Sequence, residues 1–296
     1  MNADILKRIG LVTCQKYMEM TPDEQALRLA LADFGIEAVA VAWDDQMVDW
    51  TRFDGLLVRT IWNYHEQPTA FRSWLAEIEQ ADVPLWNNVS TIRWNMEKTY
   101  LQDLADRGVA VVPTVWLEKG ETAVLSHILA EQGWTEAVVK PVISASAIDS
   151  WVTDLSQVAV DKSRFEELLA RKALMVQQKM PIDQGEWSLL FFGGEYNHGV
   201  MKRPKNGDFR VQEEYGGTST LTEAPDYLIE QAQQVLKTVP GTLYARVDGM
   251  DINGRFVLME LELIEPYLFL TFTNGAVEKF AEKIIQKMNE PSGVKQ

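Results

Sequence analysis

Short apolar runs alternate with amphipathic stretches along the first third of the chain. Residues 9–14, 36–42 and 55–59 are dominated by Val, Ile, Leu and Ala and predict buried strands. Between the first two, Thr21-Pro22-Asp23-Glu24 is a helix start; the helix carries Leu27, Leu29, Ala30, Leu31 and Phe34 and stops at Gly35. A second helix over about 68–81 leads into a fourth apolar run at 83–87. This strand–helix cadence predicts a small parallel sheet with covering helices.

From about Ser90 the rhythm changes. The spacing predicts a helix over 90–107 closed by Gly108, a strand over 111–117, a helix near 121–132 and a strand over 137–141. After Asp149 the pattern turns β-rich, with one helix at about 161–171 and strands over 174–180, 186–192, 195–202 and 209–215. Phe192-Gly193-Gly194-Glu195 predicts a hairpin turn. A helix near 225–238 precedes two strands, 242–250 and 256–263, joined by Asp251-Ile252-Asn253-Gly254-Arg255, an Asn-Gly hairpin turn; a helix over 275–289 closes the pattern.

Composition narrows the function classes. With 296 residues and 46% hydrophobic content the chain has ample material for cores and a length that suits about two domains. Its net charge of -15 argues against nucleic acid and anionic membranes as main partners, because phosphate backbones are held by clustered Lys and Arg. Cys14 is the sole cysteine, which removes intrachain disulfides and cysteine metal clusters and fits a reducing cytoplasm. No run is long and apolar enough for a bilayer span, and the first residues do not read as a signal peptide.

The last hairpin carries the densest chemistry. Strand alternation puts Arg246 and Asp248 on one face and Glu260 and Glu262 on one face of the partner strand. Three carboxylates and a guanidinium among Leu, Met, Ile and Pro are costly to bury without a compensating cation, and hard oxygen ligands suit Mg²⁺ beside phosphate. The alternative is a solvated polar sheet face. Upstream, Val138-Val139-Lys140-Pro141 followed by Ser144-Ala145-Ser146-Ala147 fits a phosphate-covering loop. A basic stretch, Lys202-Arg203-Pro204-Lys205 to Arg210, stands out in so acidic a chain. GxxxxGK[ST], GxGxxG and GxSxG are absent, and His65, His127 and His198 lack metal-ligand spacing, which sets aside P-loop, serine-hydrolase and histidine-metal readings.

Taken in order, Lys98, Val-Val-Lys140-Pro, Val176-Gln177-Gln178-Lys179-Met180-Pro181, Lys202-Arg203 through Phe209-Arg210-Val211-Gln212 to Gly216-Gly217, Arg246-Val247-Asp248 and Met259-Glu260-Leu261-Glu262 resemble the ATP-grasp superfamily. The resemblance runs along the whole chain and is nearest to the prokaryotic glutathione synthetase and RimK-like branch and to O-ureido-serine cyclo-ligase. It implies an α/β (α+β) fold: a pre-ATP-grasp parallel-sheet domain at 1–90, a small lid subdomain at 91–176 and a C-terminal subdomain with the metal site at 177–296. It implies ATP and Mg²⁺, two ions, as cofactors, and small-molecule carboxylate and amine substrates; a homo-oligomer is compatible with it.

By the same resemblance Lys98, on a helix, and Lys140 hold ATP phosphates, with Ser144 and Ser146 in the covering loop. Gln177, Gln178 and Met180 line the adenine hinge and Glu186 lies near the ribose. Asp248, Glu260 and Glu262 coordinate metal; Arg203, Arg210 and Arg246 steady the γ-phosphate and an acyl-phosphate. Glu262 departs from the Asn common in relatives, and the Ser-Ala loop departs from a glycine-rich one, which puts lid motion in question. For the substrate, the N-terminal domain offers Arg59, Asn63 and Asn88, with Trp62 and Trp86 as pocket or core residues. The implied activity is a cytoplasmic carboxylate–amine ligase. The alternatives are an intramolecular cyclo-ligase and a nucleotide-binding module without catalysis.

Overall fold

A computed structural model describes residues 7–144 and 148–290. The first unit runs β1 (Lys7–Thr13), α1 (Pro22–Asp33), β2 (Ile36–Ala42), β3 (Gly55–Thr60), α2 (Pro68–Ala81) and β4 (Leu85–Trp86). Its sheet is parallel in the order β2-β1-β3-β4. Thr21 and Glu24 form a capping box at the start of α1, which is why that helix begins where the Thr-Pro-Asp-Glu signal stands. One face of the sheet packs on α2 through Trp43, Trp50, Phe71 and Trp74. The other packs on α1 and shares a core with Phe192, Tyr244 and Phe280 from the far end of the chain. Trp86 belongs to this second core.

The expected helix over 90–107 is two helices, α3 (Val89–Asn95) and α4 (Tyr100–Asp106). Tertiary bonds replace helical ones at the break. The Asn95 side chain donates to Leu261 O and accepts from Leu263 N, and Lys98 N donates to Val142 O. Lys98 therefore sits in the break, not on a helix. The expected 111–117 strand is regular only as β5 (Thr114–Leu117), with Val111 bridging to Leu258.

A second sheet, antiparallel in the order β5-β8-β6-β7, combines β5 with β6 (Glu136–Pro141), β7 (Trp151–Asp154) and β8 (Leu174–Gln178), backed by α5 (Leu125–Gln132) and α6 (Val158–Leu169). A third, antiparallel in the order β11-β10-β9-β12-β13, combines β9 (Glu186–Phe192), β10 (Glu195–Arg203), β11 (Thr218–Leu221), β12 (Tyr244–Ile252) and β13 (Arg255–Glu262), with α7 (Asp226–Lys237) and α8 (Ala276–Asn289) around it. Gly193 and Gly194, and Asn253 and Gly254, all have φ between 55 and 81°, the backbone a two-residue hairpin turn needs.

The 209–215 stretch is not a strand. Asp208 accepts from the amides of Phe209 and Arg210 and pairs with the Arg210 guanidinium, so local side-chain bonds displace the ladder; the strand there is β11, further on. Among the described residues no helix is long and apolar enough to cross a membrane.

Candidate active site

The register of β12 and β13 sets Arg246 opposite Glu262 and Asp248 opposite Glu260. A β-bulge between Asp248 and Gly249 makes this arrangement work. Under strict alternation Phe256, Leu258, Glu260 and Glu262 would share one face. Instead Phe256 and Leu258 lie in the same apolar core as Leu261 and Leu263, and the two glutamates emerge on the opposite side. Bulges re-aim side chains in this way. Gly249 is required there, since a Cβ would stand 2.5 Å from the Phe256 ring and 2.6 Å from Val257 O.

Around the hairpin four cations and five acids converge. Glu260 is bridged by Lys98, 3.2 Å away, and Lys140, 3.1 Å away. Asp248 accepts from the Ser188 hydroxyl at 2.6 Å and pairs with Lys202 at 3.1 Å and Arg246 at 3.0 Å. Lys202, facing Glu186 across the β9–β10 ladder, also pairs with it at 2.5 Å. Arg246 reaches Glu262 as well and donates to Tyr267 O at 3.1 Å. Glu265 is half-buried just beyond β13 and has no ion pair among the described contacts.

The proton affinities follow this division. Burial raises the Glu260 carboxyl, but Lys98 and Lys140 outweigh it and hold the group well below the usual range. Burial likewise opposes ionisation of Asp248, and Arg246 and Lys202 overcome it. Glu262 is pushed up to about 7 by burial, only partly offset by Arg246 and aggravated by Asp248 and Glu260. Glu265 is pushed up to about 8 by burial and by the Glu262 charge.

This excess of buried negative charge is what a divalent cation relieves, and carboxylate oxygens are the donors Mg²⁺ prefers, so Asp248, Glu260 and Glu262 fit it chemically. Among the described residues no ready-made group of three metal-binding side chains stands together, and Lys98, Lys140 and Arg246 pair with Glu260 and Glu262. The lysines and the acids neutralise one another, an arrangement that an incoming polyphosphate with its metal can exchange: phosphate to the lysines, metal to the acids.

The other expected site residues fall in several places. Lys98 Nζ also donates to Ser144 O, while the Ser144 hydroxyl donates back to Pro141 O; Ser146 lies outside the described residues. Gln177 is buried and donates to Thr114 Oγ1; Gln178 N is spent on Pro113 O. Met180 joins Ile182, Val211, Met250, Ile252 and Met259 in an apolar patch, and Glu186, at the start of β9, is buried. Arg203 is exposed at the end of β10. Arg210 has local partners, the Asp208 carboxylate and the Tyr215 ring at 3.7 Å. Arg59 is buried and paired with Glu24 at 3.1 Å. Asn63 is tied to Trp43 and Asp44, and Asn88 caps α3.

Sequence alone gives Ser188 and Asn87 no site role and marks Lys202 only as part of the basic stretch. The pairings of Ser188 and Lys202 appear once β9, β10 and β12 are in register, and Asn87 donates to Tyr244 O and Leu263 O and accepts from Leu243 N. The hint for Lys202 was its place two residues beyond Val200 on an alternating strand.

Comparisons with known proteins agree with this geometry. Residues 9–87 match the family description "D-cycloserine synthetase DcsG, N-terminal domain". The chain is 28% identical to the cycloserine biosynthesis protein DcsG of Streptomyces lavendulae, with 95% of this chain and 98% of that protein covered. The crystal structure of D-cycloserine synthetase DcsG superposes with a TM-score of 0.86 at 26% identity, over 95% of this chain and all of that one. Two structures share the fold at lower identity. D-alanine–D-alanine ligase from Bacillus anthracis, complexed with ATP, has a TM-score of 0.69, 18% identity and coverage of 95% and 97%. A RimK domain ATP-grasp protein from Sphaerobacter thermophilus DSM 20745 has a TM-score of 0.71, 17% identity and coverage of 93% and 98%. The chain shares its fold with ATP-grasp ligases and is similar over nearly its whole length to D-cycloserine synthetase DcsG.

Proposed function

We propose that the chain is a Mg-ATP-dependent carboxylate–amine ligase that activates a small, amino-acid-like carboxylate as an acyl-phosphate. The observation that carries this is the convergence of Lys98 and Lys140 on Glu260 beside Asp248 and Glu262. Lys98 and Lys140 leave Glu260 for the ATP phosphates. Asp248, Glu260 and Glu262 would hold the Mg²⁺, two ions in this reading, which would supply charge neutralisation for phosphoryl transfer. Arg246, fixed by Asp248, Glu262 and Tyr267 O, meets the charge that builds on the transferred phosphoryl group. Met180 and its apolar neighbours face the adenine, and Glu186 the ribose. Arg203 and Arg210, on the 203–217 segment, steady the γ-phosphate and the acyl-phosphate. Segments 1–90, 91–176 and 177–296 act as substrate-bearing, lid and metal-bearing units.

A second reading is intramolecular, with amine and carboxylate on one molecule of the O-ureido-serine kind. The similarity to D-cycloserine synthetase over 95% of the chain, with its N-terminal domain matched at 9–87, favours it. Phosphate and ADP release is the assay that tests both. Thermal unfolding with and without AMP-PNP and Mg²⁺ comes first: ligand at 100 times its dissociation constant adds about 2.7 kcal/mol. A Mg-dependent rise that Lys140→Ala and Glu260→Gln both weaken supports the site. No rise with any nucleotide overturns it. ADP release with a linear O-ureido-serine and no second substrate selects the cyclising reading; a requirement for a separate amine rejects it.

A further inference from the structure

The chain that leaves β13 is irregular, yet its backbone is held at every step by side chains. Asn87 donates to Leu263 O at 2.9 Å, the Tyr244 hydroxyl to Ile264 O at 2.7 Å, and Trp62 Nε1 to Glu265 O at 3.2 Å. Arg59 donates to Pro266 O at 2.8 Å and Arg246 to Tyr267 O at 3.1 Å. Further on, Asp23 accepts from the amides of Leu270 and Thr271 and from the Thr271 hydroxyl, at 2.8 to 3.0 Å. Asn87, Trp62, Arg59 and Asp23 all come from the N-terminal unit, so the segment is hung between that unit and the acidic hairpin.

This anchoring is costly. Arg59, Glu24 and Asp23 are buried charges, and apolar packing of similar volume serves stability as well or better. What the arrangement secures is the position of whatever the segment presents. Pro266 and Leu268 turn into the core, leaving Glu265 and Tyr267 as its half-buried side chains. Glu265 lies within electrostatic reach of Glu262, Lys98 and Arg246. Those two cations are committed, Lys98 to Glu260 and Arg246 to Asp248 and Glu262. Glu265 is thus an acid fixed in place near the site with no ion pair of its own among the described residues.

We propose that Glu265 is a specificity residue that receives the ammonium group of an amino-acid substrate, holding the adjoining carboxylate toward Arg246 and the phosphate site. The proposal rests on the ligase reading and adds to it the residue that reads the free, protonated amine of the amino-acid-like substrate. An organic cation supplies the charge that Glu265 lacks, and desolvating carboxylate and ammonium together costs less than burying either alone. The burial that pushes Glu265 up to about 8 is relieved by the same pairing.

The test is binding to protein saturated with Mg²⁺ and AMP-PNP, followed by calorimetry. The probes are D- and L-alanine and D- and L-serine, set against lactic and glyceric acids, which carry a hydroxyl where the amino acids carry the amine. Wild type binds at least one amino acid more tightly than its hydroxy-acid counterpart, by about tenfold to a hundredfold for a charged hydrogen bond. Glu265→Gln, an isosteric change, removes that preference while its Mg·AMP-PNP affinity stays within about threefold, as expected for a residue outside the phosphate contacts. A variant that keeps the preference, a wild type that binds hydroxy and amino acids equally, or a wild type that binds none of the probes overturns the proposal and leaves the ligase reading standing. Failure of wild type to bind Mg·AMP-PNP overturns the ligase reading itself.

Discussion

Glu260 and Glu265 belong to one continuous stretch of chain, yet their surroundings are opposite. Glu260 has an ammonium on each oxygen, and these hold its carboxyl well below the ordinary range against the pull of burial. Glu265 has burial and a neighbouring acid, and is pushed up to about 8. The same side chain is charged and matched at one end of the site and under pressure to be neutral at the other. In the proposed function the lysine-rich end receives an anion that displaces Glu260 and the acid-rich end receives cations, a polarity that keeps a polyphosphate and an ammonium-bearing substrate from pairing with each other.

Two variants strike the ends separately. Arg59→Met removes the anchor of Pro266 O and leaves Glu24 buried without its partner, a loss of about 3–5 kcal/mol in folding free energy by denaturant titration. In the protein that remains folded, nucleotide binding at the Glu260 end persists while substrate binding weakens. Lys140→Ala strikes the other end. Activity measured as ADP release falls about a hundredfold or more, roughly 2.7 kcal/mol in the transition state, with little change in stability because Lys98 still holds Glu260. If both variants lose nucleotide and substrate binding equally, the two ends are not separable.

A third variant tests how Glu260 comes to face the site at all. Gly249→Ala forces a Cβ into the Phe256 ring and Val257 O beside the bulge, with an expected cost of about 1–3 kcal/mol. Because the bulge sets the parity of β13, the Mg-dependent stabilisation by AMP-PNP shrinks in this variant more than its stability alone accounts for. Full retention of that response shows that the parity survives without the glycine.

The legible parts of the molecule were those with local signals. Apolar runs marked β1 to β3, Thr-Pro-Asp-Glu marked α1, and Asn253-Gly254 with flanking alternation paired the arginine and the acids of the hairpin. What escaped depended on partners distant in sequence. Arg59, charged at the end of a strand, reads as exposed to substrate until Glu24 on α1 and Pro266 O are seen to enclose it. The pattern over 90–107 is helical throughout, and only the bonds of Asn95 to β13 and of Lys98 N to Val142 explain the break. Phe209, Val211 and Tyr215 alternate like a strand, but Asp208 takes the amides that a ladder would need. The bulge has no signature beyond a single glycine, although it decides which face Glu260 occupies.

The smallest effect expected is the most direct reading of the contrast. From its ordinary 4.5, burial and the Glu262 charge push the Glu265 carboxyl up to about 8 in the fold. Between these values the folded protein holds the proton more tightly than the unfolded one, so this residue's contribution to stability declines as pH rises from about 4.5 and levels off above about 8. Glu262, raised to about 7, adds a slope of the same sign over a narrower window. Glu260 has the reverse linkage: its stabilisation is complete above the ordinary 4.5 and is lost only on acidification below it. Glu265→Gln removes one charge from the acid-rich end alone. The ligand-free variant then unfolds on the order of a few degrees higher than wild type at pH 8.5, with the difference vanishing toward pH 5. Melting curves across that range measure it. A gap that is the same at both pH values would mean that Glu265 ionises freely in the fold, and the contrast with Glu260 would then reduce to geometry alone.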